Sequence, residues 1–270
     1  MRIVSFNVNG IRARLHQLEQ VRDKHDPDVI ALQESKVIDA DFPRDAIAEL
    51  GYEHQAIFGQ KTHYGVALLS KHPLEDVQLG FPWRAEDQQR RFVAARIKVG
   101  RKSVHLLNGY FPQGESREHP TKFPGKAEYY EDILKYLQDN HRARERVLVV
   151  GDMNVAPDDA DIGIGDDNAR RWLRTGKASF LPEEREWLGA LVGWGLRDTY
   201  ALQNPDERLY SWFDYRSRGF EREPKRGLRI DLILASKPLA DDLAGSGIDY
   251  ALRASDKPSD HCPIWADFDL

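Results

Sequence analysis

The stretch Val147-Leu148-Val149-Val150-Gly151-Asp152-Met153-Asn154 is the most informative about the fold, because four consecutive apolar residues lead directly into polar ones. A short apolar run bounded by a glycine predicts a buried β-strand. Side chains alternate along an extended chain, so Asp152 and Asn154 would share a face. A carboxylate and a carboxamide placed together could act on one small target, such as an attacking water. The alternative is an ordinary Asx turn that ends the strand.

Polar residues follow other apolar runs in the same way. Further strands are predicted at residues 3–6, 29–32, 65–69, 104–107, 230–234 and 264–268. Three of these runs are followed by polar pairs, namely Asn7 with Asn9, Gln33 with Glu34, and Asn108 with Tyr110. Strand ends that converge at one edge of a sheet often build an active site. We therefore expect one shared site, although Asn and Asp also mark simple turns.

Helical segments are predicted between the strands, at residues 12–25, 127–141 and 182–194. In the last, Pro182 stands at a first helical position and Gly195 follows the end, as is usual for a helix start and stop. Strands and helices mixed at this spacing favour an α/β fold in which helices cover the sheets. Because no low-complexity linker divides residues 1–270, we expect one compact domain.

The composition excludes several classes of protein. Cys262 is the single cysteine of 270 residues, which rules out an internal disulfide and a cysteine-based zinc cluster. The sequence has no run of about 18 apolar residues and opens without a secretory signal, so we expect no membrane span and a cytoplasmic location. No exposed apolar seam is visible in the pattern, so a monomer is expected.

The formal net charge of −5 does not by itself indicate a polyanion binder. Carboxylates that hold a divalent cation add negative charge at a site, and the bound cation then helps to attract phosphate. Seven basic residues lie between positions 208 and 229, interleaved with Trp212, Phe213, Tyr215 and Phe220. Such a stretch fits either nucleic-acid binding or a solvated loop.

Two ionisable residues stand in or beside apolar strands. Asp231 lies inside the run Leu228-Arg229-Ile230-Asp231-Leu232-Ile233-Leu234, where a charge requires a partner. His261 follows Asp260, and neighbours on an extended strand point to opposite faces, so these two would not pair. Asp231 is therefore the candidate carboxylate that orients His261. A histidine held by a buried acid is suited to stabilising charge in a transition state.

Glu34 follows the apolar run at 29–32 and is a candidate metal ligand. Sites built from oxygen donors favour hard cations, and with phosphate substrates Mg²⁺ usually keeps several waters and one or two carboxylates. One Mg²⁺ on Glu34 with few other protein ligands is the resulting prediction. Taken alone, Glu34 is more typical of a surface or turn residue than of a metal ligand.

Together these residues resemble the exonuclease III family of abasic-site endonucleases, within the endonuclease/exonuclease/phosphatase superfamily. The resemblance extends over the whole chain and includes Ser5-Phe6-Asn7-Val8-Asn9-Gly10, Leu32-Gln33-Glu34-Ser35-Lys36, Asn108-Gly109-Tyr110-Phe111-Pro112-Gln113-Gly114, Gly151-Asp152-Met153-Asn154, Leu228-Arg229-Ile230-Asp231 and Ser259-Asp260-His261. Three longer segments are specific to this branch: Trp172-Leu173-Arg174-Thr175-Gly176-Lys177, Phe180-Leu181-Pro182-Glu183-Glu184-Arg185-Glu186-Trp187 and Trp212-Phe213-Asp214-Tyr215-Arg216.

The resemblance implies a fold and an activity. The fold would be a four-layer α/β sandwich of the DNase I-like type, with two mixed β-sheets packed face to face and helices outside. The activity would be Mg²⁺-dependent hydrolysis, with Mn²⁺ as a substitute, of the DNA backbone 5′ to abasic sites. Removal of nucleotides and phosphates from 3′ ends would use the same site. The partner would be double-stranded DNA carrying abasic sites or blocked 3′ ends.

The resemblance also implies roles for single residues. Asp152 would activate or orient the attacking water with Asn154, and Asn7 and Tyr110 would contact the phosphate. His261 would bind a non-bridging oxygen and be held by Asp231. The implied metal ligands are Glu34 and Asp260; the implied DNA contacts are Arg90, Arg91, Gln113, Lys122 and Arg216; and the implied pocket for the abasic sugar is formed by Trp212, Leu228 and Phe213.

Some positions depart from the family's usual pattern, and two other functions compete. Ser35 stands where Thr is common, Cys262 stands where small residues are common, and the 221–225 loop looks longer, which leaves the relative strength of the activities open. A phosphatase for small phosphoesters would show little preference for duplex DNA over other phosphoesters. A non-catalytic damage-binding protein would have lost one of the key polar groups.

Overall fold

The computed structural model describes residues 1–85 and 88–270. The strands are β1 (Arg2–Asn7), β2 (Val29–Gln33), β3 (His54–Phe58), β4 (Val66–Ser70), β5 (Leu74–Leu79), β6 (Phe92–Val99), β7 (Lys102–Tyr110), β8 (Val147–Asp152), β9 (Leu196–Asp198), β10 (Asp231–Ser236), β11 (Leu243–Ile248) and β12 (Ile264–Phe268). The helices are α1 (Leu15–His25), α2 (Arg44–Glu49), α3 (Lys122–Asn140), α4 (Asp166–Thr175), α5 (Pro182–Trp194), α6 (Thr199–Gln203), α7 (Lys237–Ala240) and α8 (Tyr250–Arg253). Within the described ranges, no helix combines the length and apolar character needed to cross a membrane.

The described strands form two mixed sheets of six strands each. One sheet has the order β11-β12-β1-β2-β4-β3, with β1 parallel to β2 and antiparallel to β12. The other has the order β5-β6-β7-β8-β10-β9, with β7 parallel to β8 and β8 antiparallel to β10. In this register Tyr110 lies opposite Asp152, and Asp152 lies opposite Asp231. Polar side chains from three neighbouring strands are thereby set side by side.

The four apolar residues at the start of β8, Val147 to Val150, explain the layering. Leu148 and Val150 of β8 belong to a core that also contains Ile3 and Ala31 of the other sheet, so the two sheets pack face to face. Val147 and Val149 point the other way, into a second core with residues of α3 and α5. The strand is thus buried on both faces, which explains its unbroken apolar character. Each such side chain contributes roughly 1.5–3 kcal/mol of burial free energy.

Helices cover the outer face of each sheet. Ile133 of α3 and Leu188 of α5 pack on one sheet, while Leu18 of α1 and Ile47 of α2 pack on the other. The order helix, sheet, sheet, helix confirms the predicted four-layer α/β sandwich. Helix α3 begins at Lys122, five residues before the predicted start, since Pro124 in the first turn has no hydrogen bond to lose there. The structure also contains α2, α4, α6, α7 and α8, which were not predicted.

Candidate active site

Strand ends from both sheets meet at one rim of the sandwich. Asn7 ends β1 and Glu34 follows β2 in one sheet. Tyr110 ends β7, Asp152 ends β8 and Asp231 begins β10 in the other. Because β10 runs antiparallel to β8, its first residue lies at the same edge as the last residue of β8. The convergence expected from the sequence is therefore present for Asn7, Glu34, Tyr110 and Asp152, and Asp231 joins them.

A glycine makes this rim possible. Gly151 has a φ of 136°, a conformation that side-chain-bearing residues rarely adopt. A Cβ atom at this position would lie 1.9 Å from the carbonyl oxygen of Gly109 on the neighbouring strand β7. Only glycine therefore fits here, and its close approach sets Asp152 against the rest of the site.

His261 lies between two buried carboxylates. Its Nδ1 atom is 2.8 Å from Oδ2 and 3.0 Å from Oδ1 of Asp231. Its Nε2 atom is 3.7 Å from Oδ2 of Asp152. Asp231 is itself fixed by a backbone N–H that donates to the hydroxyl of Ser211. The structure thus brings His261 to Asp231, as the face argument predicted, and leaves Nε2 directed toward the centre of the site.

The charges of this group shift each other's pKa values. Burial lowers the pKa of His261, but the neighbouring Asp231 and Asp152 carboxylates outweigh burial and raise it overall. Burial raises the pKa of Asp152, and repulsion from Asp231 and Glu34 adds to the effect, although His261 opposes it. The raised pKa of His261 favours a protonated imidazole that is held by the Asp231 carboxylate. Such an imidazolium can donate to an oxygen that gains negative charge.

Asn7 joins the two carboxylates that come from different sheets. Its Nδ2 donates to Oε1 of Glu34 at 2.9 Å and to Oδ2 of Asp152 at 3.0 Å. Lys36 Nζ lies 2.8 Å from Oε2 of Glu34 and also donates to Asn9. Burial acts to raise the pKa of Glu34, but the Lys36 charge and the hydrogen bonds together lower it below its usual range. Glu34 is therefore ionised and held in place.

Asn154 is fixed from two sides. Its backbone N–H donates to Oδ1 of Asp152 at 3.0 Å, and its Nδ2 donates to the carbonyl of Phe111 at 2.9 Å. The φ angles of Asn154 and Glu34 are 52° and 56°, in the left-handed region that is strained for residues other than glycine. Strain of about 1–3 kcal/mol per residue persists only where the surroundings enforce it, typically at functional sites.

A buried ion pair supports Asn154 from below. Lys126 of α3 and Glu184 of α5 both have fully buried side chains, and their Nζ and Oε1 atoms are 2.5 Å apart. Lys126 also donates to the backbone carbonyl of Asn154 at 2.9 Å. The other carboxylate oxygen of Glu184 accepts from the backbone N–H of Ser179 and of Leu181. The pair therefore connects two helices to the loop that carries Asn154.

Two carboxylates at the rim could hold a metal ion. Oxygen atoms of Glu34 and Asp152 lie within 4.8 Å of each other and of a ring nitrogen of His261. Carboxylate oxygens suit a hard divalent cation, whereas the protonated form of His261 has no lone pair to offer it. Within the described residues, the rim therefore fits metal binding at Glu34, where the sequence predicted it.

Asp260, the other predicted metal ligand, is engaged differently. Its Oδ1 accepts from Nδ2 of Asn9 at 2.8 Å, and its Oδ2 accepts from Nε1 of Trp212 at 3.1 Å. Asp260 also lines the same cavity as Asp152 and His261. Its role as a ligand stays a prediction, whereas its present contacts hold the Trp212 indole in position.

Tyr110 and Arg91 form one unit beside the carboxylates. The Arg91 guanidinium lies 4.5 Å from the centre of the Tyr110 ring and 3.9 Å from that of Tyr64. Burial raises the pKa of the Tyr110 hydroxyl, and the nearby Glu34 and Asp152 charges raise it further. Tyr110 is therefore a neutral hydrogen-bond donor. Arg91 is largely buried and positions Tyr110, and it also lines a surface pocket with Gln113 and Lys122, so its DNA contact stays a prediction.

The site opens into a cavity of about 560 Å³. Its floor is formed by Glu34, Tyr110, Asp152, Asn154 and His261, and its walls include Trp172, Trp212, Ile164 and Ile230. The basic residues on the walls are Arg171, Lys177, Arg216, Arg222 and Arg226. A cavity with acidic groups at its base and cations around its mouth suits a phosphate ester whose reacting phosphorus reaches the base.

Helix α4 contributes residues that the sequence analysis did not identify. Asn168, Arg171 and Trp172 of this helix line the cavity together with Lys177, which lies 3.9 Å above the Trp172 ring. The segment from Trp172 to Lys177 was recognised as specific to the branch, but no role was assigned to it. That signal could have placed α4 at the site.

Two of the three predicted pocket residues do not face the cavity. The side chain of Phe213 is completely buried and packs on Phe220 and Tyr250, so its prediction as a pocket residue was wrong. Leu228 is also buried, in a cluster that packs against Trp212. Leu228 therefore backs the wall and Trp212 forms it. Side chains alternate along an extended segment, so residues next to a pocket position point into the core.

The remaining predicted DNA-binding residues lie around the rim. Gln113 and Arg216 line the cavity. The exposed Lys122 pairs with Glu115 at 2.5 Å. Arg90 donates to the carbonyl of Gly59 at 2.7 Å and lies farther out, beside a separate surface pocket. Gln113 and Arg216 are thus nearest to the chemistry, and the roles of all four stay predictions.

This fold and rim define an α/β phosphoesterase. The chain belongs to the Endonuclease/Exonuclease/phosphatase family, which matches residues 4–261. It is 52% identical over 269 residues to the exodeoxyribonuclease III of Haemophilus influenzae, and the match covers 99% of this chain and 100% of that protein. It is 29% identical over 270 residues to the DNA repair nuclease APEX1 of Danio rerio, covering 98% of this chain and 81% of that protein.

Solved structures show the same relationship. An AP endonuclease from Archaeoglobus fulgidus superposes with a TM-score of 0.90 at 33% identity, covering 100% of both chains. A 3′ phosphatase from Neisseria, bound to a product DNA hairpin, superposes with a TM-score of 0.90 at 35% identity, again covering 100% of both chains. The resemblance inferred from the sequence motifs is confirmed.

Proposed function

We propose that this protein is a DNA-repair hydrolase that cuts the backbone 5′ to abasic sites and trims 3′ ends as a 3′-5′ exonuclease and 3′ phosphatase. The observation that carries the proposal is the placement of His261 between Asp231 and Asp152 at the base of a cavity with basic walls. The relatives support it, since one is an exodeoxyribonuclease III and a structural neighbour is a 3′ phosphatase bound to DNA. Residues 1–270 would act as one cytoplasmic, monomeric domain.

Asp152 is the proposed base that orients and deprotonates the attacking water. Its raised pKa gives it stronger basicity than an exposed aspartate, which favours proton transfer from water. Because Nδ2 of Asn154 is bound to Phe111, the Oδ1 atom of that amide is the end left to contact the same water. Both residues sit on the strand and turn that Gly151 positions.

His261 and Tyr110 are the proposed donors to the phosphate oxygens. The imidazolium form of His261, stabilised by Asp231, places a positive N–H where a non-bridging oxygen gains charge. The neutral hydroxyl of Tyr110 offers a second donor. Preorganised donors of this kind are often the largest catalytic contribution, and each is worth about 10²–10³ in rate.

Mg²⁺ is the proposed cofactor, with Mn²⁺ as a substitute. Glu34 would be its main protein ligand, and Asp260 stands at the same cavity as a further candidate. A bound Mg²⁺ supplies positive charge that offsets the charge of the phosphate and the departing oxygen. The residues fit this ion because Glu34 is ionised and fixed by Asn7 and Lys36.

Selectivity for damaged duplex DNA follows from the shape of the cavity. A sugar without a base leaves the helix more easily than an intact nucleotide and fits a narrower pocket. Trp212, held by Asp260, would form the apolar surface against that sugar. Arg171, Arg216 and Arg222 at the walls would bind the flanking phosphates without reading sequence.

The decisive experiment is cleavage of a labelled duplex with one tetrahydrofuran abasic analogue, in Mg²⁺ or in EDTA. Wild type should cut on the 5′ side of the analogue only with Mg²⁺, and Asp152→Asn should lose the activity. Asp45→Asn, an exposed substitution on α2, is the matched control and should cut normally. Hydrolysis of small phosphoesters without cutting of the duplex would replace the proposal with a phosphatase. Tight binding without hydrolysis would indicate a non-catalytic damage binder.

A further inference from the structure

A second cluster of potential metal ligands lies at the opposite end of the sheet from the active site. His105 comes from β7, His141 directly follows α3, and Glu145 stands in the turn before β8. Their ligand atoms lie within 4.8 Å of one another. Nδ1 of His141 is 3.7 Å from Oε2 of Glu145, and the two imidazole rings have centroids 4.7 Å apart.

The state of His141 points to a missing ligand. Its side chain is buried, with 7% of the residue exposed, yet neither ring nitrogen has a hydrogen-bond partner among the described residues. Buried polar atoms are almost always hydrogen-bonded, so an imidazole with two unpartnered nitrogens requires an explanation.

We propose that His105, His141 and Glu145 bind Zn²⁺, or a transition-metal ion of similar preference, through two imidazole nitrogens and one carboxylate oxygen. Two histidines and one glutamate are a donor set that zinc accepts, with water in the fourth position. Tetrahedral zinc with bonds of about 2.0–2.1 Å needs ligand atoms roughly 3.3–3.5 Å apart. The 3.7 Å between His141 and Glu145 is close to that value. The side chain of Glu145 is 41% exposed.

Two nearby arginines are already engaged by carboxylates. Arg96 lies opposite His105 in the sheet, but it contacts Glu75 at 2.6 Å and Asp76 at 2.7 Å. Arg146 is directed toward Asp242. A third arginine, at position 142, donates from its guanidinium to the backbone carbonyls of residues 138 and 141, and its backbone N–H donates to Oε2 of Glu145 at 3.2 Å. A carboxylate oriented beside two imidazole rings is a suitable cation site.

The position of the cluster indicates what the ion would do. His105 precedes Tyr110 by five residues on the same strand, which corresponds to about 17 Å at 3.3–3.4 Å per residue. The ion would therefore not take part in catalysis. It would join the end of α3 to the starts of β7 and β8, and so stabilise the layer contact at the end of the sheet away from the rim.

Zinc binding tests the proposal directly. ZnCl₂ is titrated into EDTA-stripped, desalted full-length protein by calorimetry, and Co²⁺ is added in parallel to look for the visible absorption of four-coordinate cobalt with nitrogen ligands. In His105→Gln and in Glu145→Gln, the affinity for one bound zinc ion should fall at least ~10-fold, and the cobalt absorption should disappear. His54→Gln, a half-buried histidine outside both clusters, is the matched control and should bind like wild type. Glu34→Gln removes the proposed metal ligand of the active site and so identifies any zinc that binds there. This variant should still bind the zinc ion assigned to His105, His141 and Glu145.

The outcomes that overturn the proposal are distinct. Unchanged zinc stoichiometry and affinity in both variants would show that this cluster binds no ion. Loss of all binding in Glu34→Gln alone would assign zinc to the active site only. Circular dichroism verifies folding, and if His105→Gln fails to fold, the substitution of the partly exposed Glu145 decides the question. Cleavage with saturating Mg²⁺ should stay within 2-fold of wild type in both variants.

Discussion

Replacing Lys126 with methionine would break the buried ion pair beneath the active site while keeping a side chain of similar length. The substitution removes the Nζ atom that lies 2.5 Å from Glu184 and 2.9 Å from the carbonyl of Asn154. The Glu184 side chain would stay fully buried with a charge that has lost its partner. Breaking a buried pair from one side costs about 3–5 kcal/mol, out of a total stability near 5–15 kcal/mol.

The same change should reach the active site. The loop that carries Asn154 loses one of its anchors, so the amide that accompanies Asp152 becomes less well positioned. Small displacements of positioned groups lower rates, and we expect kcat to fall about 10-fold with little change in KM. Urea denaturation measures the free energy of unfolding, and single-turnover cleavage of the abasic duplex measures the rate.

A double variant distinguishes loss of an ion pair from loss of packing. In Lys126→Met with Glu184→Gln, no charge stays buried, and the glutamine oxygen can still accept from the backbone N–H groups of residues 179 and 181. The double variant should therefore be at least ~1 kcal/mol more stable than Lys126→Met alone. A single variant that loses less than about 1 kcal/mol, or a double variant less stable than the single, would refute the reasoning.

Four further predictions follow from the site and the core. Asp231→Asn should lower kcat about 10²–10³-fold with KM nearly unchanged, because it removes the charge that stabilises the imidazolium of His261; cleavage kinetics measure this. Gly151→Ala should reduce stability by at least about 2 kcal/mol in urea denaturation, because its Cβ would meet a strand carbonyl at 1.9 Å. Arg171→Ala should weaken DNA binding and reduce the slope of log K against log salt by about 1, as expected for one phosphate contact. Burial acts to raise the pKa of Asp249, but its hydrogen bonds outweigh burial and hold the pKa well below its usual range. The contribution of this carboxylate to the free energy of unfolding is therefore complete above pH ~4 and declines as the pH falls below that. Between pH 6 and pH 3, urea denaturation should show that wild type loses roughly 0.5–1 kcal/mol more stability than Asp249→Asn.

Each of these predictions has a result that contradicts it. An Asp231→Asn rate within 3-fold of wild type would remove the imidazolium from the mechanism, and unchanged stability in Gly151→Ala would mean that the strand can shift. An unchanged salt slope in Arg171→Ala would place that residue outside the DNA contact. If wild type and Asp249→Asn lose the same stability in acid, this carboxylate does not contribute to the pH dependence of the free energy of unfolding.

Seven of the eight described strands that lie inside the two sheets were predicted from the sequence, whereas β6 and the sheet edges were not. In β6, Arg96 and Lys98 interrupt the apolar pattern. Residues 147–150 are buried on both faces, and such strands read as unbroken apolar runs. Strands β3, β5, β9 and β11 are the outer strands of the two sheets and were all missed. Edge strands are partly exposed and carry polar residues, as in Leu74–Leu79, so an apolar run cannot reveal them.

The site was predictable where chemistry required a partner. A charge inside the run around Asp231 had to be paired, and His261 is the partner that the structure provides. Asn108, in contrast, was grouped with the rim, yet its amide donates to the carbonyls of Leu32 and Ala67 and joins the two sheets internally. Polar residues at strand ends serve both purposes, and only the register distinguishes them. The position of Arg171 at the cavity could not be predicted, because the sequence of a polar helix does not indicate which of its faces lies against a distant part of the chain.

The pairing of β12 with β1 determines when the first sheet can be completed during synthesis of the chain. Strand β1 lies between β2 and β12, so the strand made first acquires one of its two neighbours only after residue 264 has been synthesised. A nascent chain that already carries Glu34 and Asp152 still lacks His261. Contacts between residues this distant in sequence form late, because the entropic cost of closing a long loop comes before the contacts stabilise the fold. The sheet that carries Asn7 and Glu34 and the histidine of the site are therefore completed together, at the end of synthesis.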